Sequence, residues 1–126
     1  MKVKKDKPWI QMEIVKSKVP MGYDMPGGWG NGYIGLPKVH KMYEIDCDLI
    51  PTEEFQEKPH RGWTYSSHTH PVTGEKSDLW WLGFDTNHFG DNLQEESKSY
   101  VNKLTVALAK SYSSLKFKRD VLWEDI

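Results

Sequence analysis

The chain has 126 residues, 37% hydrophobic and 13% aromatic, with 17 Lys plus Arg against 18 Asp plus Glu. This length suits one buried core, the 6 tryptophans and 6 tyrosines can fill it, and the near-zero charge balance excludes a surface built to hold a polyanion. The single cysteine, Cys47, excludes an intrachain disulfide and a cysteine-rich zinc site.

Residues 1–7, "MKVKKDK", read as a frayed basic tail on a single domain spanning 1–126. No apolar run reaches the length of a signal peptide or the roughly 20 residues of a membrane span, so the expected setting is the cytoplasm with no membrane partner. Residues 8–16, "PWIQMEIVK", alternate Ile10, Met12 and Ile14 with Gln11 and Glu13, the period of a half-buried strand. Residues 17–32 are crowded with glycine and proline and read as a loop. "YIGLP", Tyr33 to Pro37, reads as a short strand closed by its proline, and residues 49–57 as a brief helical turn capped at Thr52.

Two aromatic runs, "HRGWTYSS" at 60–67 and "DLWWLGFD" at 78–85, flank a polar turn with Pro71 and Gly74, a hairpin signature. The second run places Leu79, Trp81, Gly83 and Asp85 on one face and Trp80, Leu82 and Phe84 on the other, as in a central strand. If Ser67 faces Asp78, Gly62 lies opposite Gly83 and His60 opposite Asp85. After Gly90 the apolar residues Leu93, Tyr100, Val101, Leu104, Leu108, Tyr112 and Leu115 trace one stripe of a helix of about six turns. Asp91 is placed to cap it, with Gln94 completing a capping box. The expected fold is α+β: a small antiparallel sheet with a central aromatic hairpin, packed against one long C-terminal helix.

The chemistry gathers at "FDTNHFGD", 84–91. Asp85 ends an aromatic strand, where an unpaired carboxylate is costly, so His60 or His88 is its expected partner. A helix starting at Asp91 would offer amide groups to an anion such as phosphate, whereas Asp85, His88 and His60 are the donor types that hold zinc and related cations. His68 and His70 adjoin the turn tip and read as solvent-exposed. No Ser-His-Asp order or phosphate-cradling glycine motif is present, and "GGWGNG" is too irregular for a dinucleotide fingerprint.

The segments "NGYIGLPKVH", "HRGWTYS" and "WWLGFDTNHFGD", in that order and followed by a helical pattern, resemble a family of small uncharacterised bacteriophage and prophage proteins. The resemblance spans roughly residues 31–110. It implies a phage setting and adds His40 to the site, but brings no reaction with it. The chain departs from the pattern at Arg61, where the family has a second glycine, at Lys41, and in the longer hairpin tip carrying His68 and His70.

The expected ligand-binding set is therefore His40, His60, Tyr65, Trp81, Asp85, His88 and Asp91. Within it His60, Asp85 and His88 are the catalytic candidates, and His40, His60, Asp85 and His88 the donors for a divalent metal. Two functions fit: an accessory protein binding a small polar ligand or a host component, or a metal-dependent or His-Asp hydrolase acting on a phosphate ester.

Overall fold

The computed structural model describes residues 10–18 and 27–113. The expectations for the basic tail, for 19–26 of the glycine-rich loop and for the chain beyond Ser113 lie outside the described residues. Four strands, β1 (Gln11–Lys16), β2 (Gly30–Leu36), β3 (Tyr65–Thr69) and β4 (Lys76–Asp85), form one antiparallel sheet in the order β1-β2-β4-β3. One helix, α1 (Lys98–Ser113), packs on β1 and β2, so the fold is α+β as the hydropathy pattern implies. β4 is an inner strand, paired with β2 on one side and β3 on the other.

Leu82 and Phe84 of β4 join Ile34 and Leu36 of β2 beneath Val101, Leu108 and Tyr112 of α1, all buried. Phe55 stacks on Tyr112 with ring centroids 3.8 Å apart, and Trp63 Nε1 donates to Tyr112 Oη at 3.0 Å. Each such ring, taken out of water, contributes about 1.5–3 kcal/mol, which makes this layer the main stabiliser of the sheet-helix pair.

Three expectations require correction. β2 starts at Gly30, inside the stretch read as a loop, because its glycines serve close packing: a Cβ on Gly32 would stand 2.1 Å from Thr105 Oγ1 and 2.5 Å from the Phe84 ring. α1 starts at Lys98 instead of Asp91. Ser97 caps it, its Oγ accepting from the Tyr100 amide at 3.2 Å and its carbonyl from the Val101 amide at 2.9 Å. Ahead of it Asn92 and Glu96 close a separate turn, with the Glu96 amide donating to the Asn92 carbonyl and the Asn92 amide to Glu96 Oε1, both at 2.8 Å. The 49–57 segment holds short 3-10 turns at Cys47–Leu49 and Thr52–Glu54, the second preceded by Pro51 in place of a Thr52 cap.

The hairpin register also differs from the symmetric one. Tyr65, not Gly62, faces Gly83, Ser67 faces Trp81, and the ladder shifts before Thr69 meets Lys76. The irregularity between Ser67 and Thr69 absorbs the shift, and Gly83 makes room for the Tyr33 ring, whose carbons would lie 2.5 Å from a Cβ there. Residues 60–64 consequently stay outside the sheet. The hairpin tip folds over the face opposite α1. His70 lies edge-on to Trp81 at 4.9 Å, its Nδ1 accepts from the Val72 and Thr73 amides, and its Nε2 is 3.5 Å from Glu13 Oε2 on β1. Trp81 is thereby fully buried, and the histidines of the tip are packed and bonded instead of solvent-exposed.

Candidate functional site

β4 ends at Asp85, and the chain beyond it is tied back to β2 before it reaches the helix. Thr86, buried, donates its hydroxyl to the Gly30 carbonyl at 2.7 Å and accepts from the Gly30 amide at 3.2 Å. Asp85 Oδ1 accepts from the Asn87 amide at 2.9 Å, and the Asp91 amide donates to the His88 carbonyl at 2.9 Å, which curls 85–91 into a compact corner. Gly90, at φ 95°, takes the left-handed backbone that this corner needs.

A second turn arrives from the other side. The Gly62 amide donates to the Pro59 carbonyl at 3.1 Å, with Arg61 at φ 56° and Gly62 at φ 93°. A left-handed arginine costs about 1–2 kcal/mol relative to glycine, so this position carries strain in exchange for a guanidinium. The turn delivers His60 and Arg61 to Asp91.

Asp91 is the centre of the arrangement. Its side chain is 0% exposed, and it accepts from His60 Nε2 at 2.9 Å and from the His88 amide at 2.8 Å, with His88 Nδ1 at 3.3 Å and Arg61 Nε at 3.4 Å. Burial alone would raise the Asp91 carboxyl, but the His88 amide and the His60 ring outweigh it and hold the group below the usual aspartate value. Asp91 is therefore an anion. His60, donating to it from Nε2, receives the Tyr100 hydroxyl at Nδ1, 2.7 Å away, when the ring is neutral. Tyr100 is itself raised by burial and by the charges of Glu96 and Asp91.

His88 Nδ1 lies 3.3 Å from Asp85 Oδ1 and 3.3 Å from Asp91 Oδ2. Asp85 Oδ2 accepts from Thr64 Oγ1 at 2.9 Å, so the outer carboxylate is fixed as well. His88 and Asp85 then line an open cleft of about 600 Å³ with Lys16, Lys18, Asn31 and Tyr33, and Pro71 of the hairpin tip closes one side. Asn31 Nδ2 donates to the Tyr33 hydroxyl at 3.0 Å. Burial raises Tyr33 above its ordinary value, with the nearby Asp85 and Tyr65 adding to the rise, so the hydroxyl stays protonated and able to donate.

Of the expected residues, the structure brings His60, Asp85, His88 and Asp91 together and leaves three out. His40 is buried in another part of the core, Nε2 donating to the Tyr112 carbonyl at 2.8 Å and Nδ1 accepting from the Met42 amide at 3.0 Å. Burial pushes its pKa down to about 4, so it is a neutral ring bonded to backbone. Trp81 is sealed beneath the hairpin tip. Tyr65 points its hydroxyl at the Thr69 carbonyl, 2.9 Å away, and meets the cleft only through the Tyr33 ring, 5.4 Å edge-on.

Asp91 itself is present, but as a shared carboxylate instead of a helix cap, and the helix start offers no anion site at this corner. Sequence reasoning missed Lys16, Lys18, Asn31, Tyr100 and Arg61 as parts of the site. Alternation on β2 puts Asn31 on the face of Tyr33, opposite Asp85 on β4, but it puts Lys16 on the other face with Ile14, and Lys18 lies beyond the end of β1. No local signal links Tyr100 to a histidine forty residues earlier.

No family model, curated protein or solved structure matches this chain. Among the described residues no helix is long and apolar enough to cross a membrane.

Proposed function

We propose that the chain binds a small anionic ligand in the cleft between β1, β2 and the 85–88 corner. The observation that carries this reading is the pairing of two lysines, Lys16 and Lys18, with a histidine whose Nδ1 side is held by carboxylates and whose ring borders the same space. A phosphate or carboxylate placed there lies near the positive charge of Lys16 and Lys18, the Tyr33 hydroxyl and His88, while Asp85 sets a limit on how much negative charge fits beside it. The phage accessory setting fits this reading and rests on the motif resemblance.

The test is titration of the ¹⁵N-labelled protein with inorganic phosphate in buffer containing EDTA. Shifts confined to residues 15–18, 31–33 and 85–88 are expected, with affinity falling about tenfold in a Lys16→Gln/Lys18→Gln double variant, a loss of roughly 1.4 kcal/mol. Equal binding by the double variant, or shifts centred elsewhere, would overturn the assignment.

A second reading, hydrolysis of a phosphate ester, is favoured by the position of Asp85 and Asp91 against His88 Nδ1. That contact fixes the ring orientation and leaves Nε2 to take a proton from attacking water. Release of p-nitrophenol from p-nitrophenyl phosphate by wild type in EDTA, lost in His88→Gln, is the result it requires.

A further inference from the structure

We propose that His60 Nε2, His88 Nδ1 and an Asp91 carboxylate oxygen are the protein ligands of one divalent transition-metal ion, zinc in chemical type, at the inner end of the cleft. The inference rests on reading this corner as a ligand-binding site and adds the ion through which that site is completed. The three ligand atoms all lie within 4.8 Å of one another, on two segments, around His60 and around 88–91, that the fold has brought to a point.

The spacing is that of a coordination shell. Tetrahedral bonds of about 2.0–2.2 Å hold neighbouring donors roughly 3.2–3.6 Å apart. His88 Nδ1 stands 3.3 Å from Asp91 Oδ2 and 3.3 Å from Asp85 Oδ1, and His60 Nε2 stands 2.9 Å from Asp91 Oδ1. The two imidazole nitrogens meet different oxygens of the one Asp91 carboxylate, and a ligand atom from each residue lies within 4.8 Å of the others. Two imidazoles and a carboxylate select zinc or cobalt over magnesium or calcium, which prefer all-oxygen shells. Three protein ligands would leave a fourth position for water or a ligand, and the Asp85 carboxylate stands 3.3 Å from His88 Nδ1.

Charge points the same way. Asp91 is fully buried, yet Arg61, 3.4 Å away, is 50% exposed, so a carboxylate removed from water faces a cation that remains largely in water. A divalent ion at this point is matched to both Asp85 and Asp91. The surrounding bonds also suit it: with Nε2 on the ion, His60 carries its proton on Nδ1 and donates to Tyr100 Oη, 2.7 Å away, the outer hydrogen bond that fixes a ligating imidazole. With Nδ1 on the ion, His88 carries its proton on Nε2 and can donate to an anion in the cleft. That tautomer is the reverse of the one the metal-free hydrolase needs.

The experiment is uptake of Co²⁺ and Zn²⁺ by the untagged full chain in phosphate-free buffer, followed by the visible d–d absorption of tetrahedral Co²⁺ and by calorimetry for Zn²⁺. One ion per chain is expected, with binding weakened more than about 100-fold in His88→Gln and His60→Gln, and about tenfold in Asp85→Asn. His88 is 26% exposed, so His88→Gln is the decisive variant, with circular dichroism to show that it keeps its fold. No uptake by the folded wild type, or equal uptake by His88→Gln, would overturn the proposal. Phosphate binding in EDTA reads the cleft without the ion and metal uptake without phosphate reads the ion without the anion, so either reading can fail alone.

Discussion

His40 and His88 are both histidines with bonded ring nitrogens, yet they do opposite things to the molecule. His40 is bonded to a backbone carbonyl and a backbone amide inside the core, partners that do not change charge, and burial holds it neutral down to about pH 4. His88 is set against two carboxylates at the edge of an open cleft. A histidine that satisfies main-chain groups fixes the fold; one that shares side-chain anions at a cleft is the one the proposed ligand and ion would meet. Partner type separates the two more sharply than burial or motif position does.

The largest effect expected from breaking the second environment comes at Asp91. Asp91→Ala leaves the His60 ring, the His88 amide and Arg61 Nε without their common acceptor in a fully buried position. Each hydrogen bond to a charged group contributes about 1.5–3 kcal/mol, so a loss of about 3 kcal/mol or more in chemical denaturation is expected. A loss below about 1 kcal/mol would mean that the carboxylate is not the centre of the corner.

The His40 environment is broken by acid. Its folded pKa, about 4, lies below the unfolded value near 6.5, so the unfolded chain takes up the proton first. Its stabilising effect is complete above the unfolded value and declines as pH falls from about 6.5 toward 4, by about 3 kcal/mol at the lower limit. Asp91, whose folded pKa is depressed, loses stability in the same direction, as pH falls through that folded value. Comparing wild type with His40→Gln by urea denaturation at neutral pH and at pH 4 isolates the His40 share: the variant should show a smaller acid loss. An identical loss in both would place the acid sensitivity elsewhere.

How far these environments could be read in advance depended on how local their causes are. β4 announces itself in "DLWWLGFD", and Asp85, His88 and Asp91 follow within six residues, so the sequence pointed to the corner without any pairing information. The partner assignments needed tertiary facts. His60 was expected opposite Asp85 from a symmetric hairpin, but an irregularity between Ser67 and Thr69 moved the register, and His60 reached Asp91 through a turn outside the sheet. The helix stripe was sound from Tyr100 to Tyr112, whereas Leu93 matched its period by chance, being 39% exposed in a turn that Asn92 and Glu96 close for themselves. Gly30 and Gly32 looked like loop residues because composition does not distinguish a glycine that turns the chain from one that lets a neighbour approach, the β1 backbone at Gly30 and Thr105 of α1 at Gly32. The resemblance drew His40 into the site, and only its backbone partners removed it.

The comparison is sharpened by a third histidine whose environment lies between the two. His68 Nδ1 is 2.8 Å from the Leu79 carbonyl and Nε2 is 2.7 Å from Glu44 Oε2, so both nitrogens face acceptors and only the doubly protonated ring satisfies both. The Glu44 carboxylate raises the His68 pKa, a smaller opposing effect comes from burial, and the Leu79 carbonyl adds to the rise. Tyr43 lies edge-on to the same ring at 5.5 Å and donates its hydroxyl to the Asp78 carbonyl, so Asp78 is the other acidic residue at this joint. Because the folded value exceeds the unfolded one, this contact stabilises fully below about pH 6.5 and is lost as pH rises through the folded value, the reverse of His40. Glu44 is 59% exposed, so the effect is that of a surface pair, about 0.5 kcal/mol. In an NMR titration the His68 ring should deprotonate above the ordinary histidine value, and Glu44→Gln should lower its midpoint. A His68 that titrates at the ordinary value with Glu44 in place would show that partner type alone does not set the behaviour of a histidine in this fold.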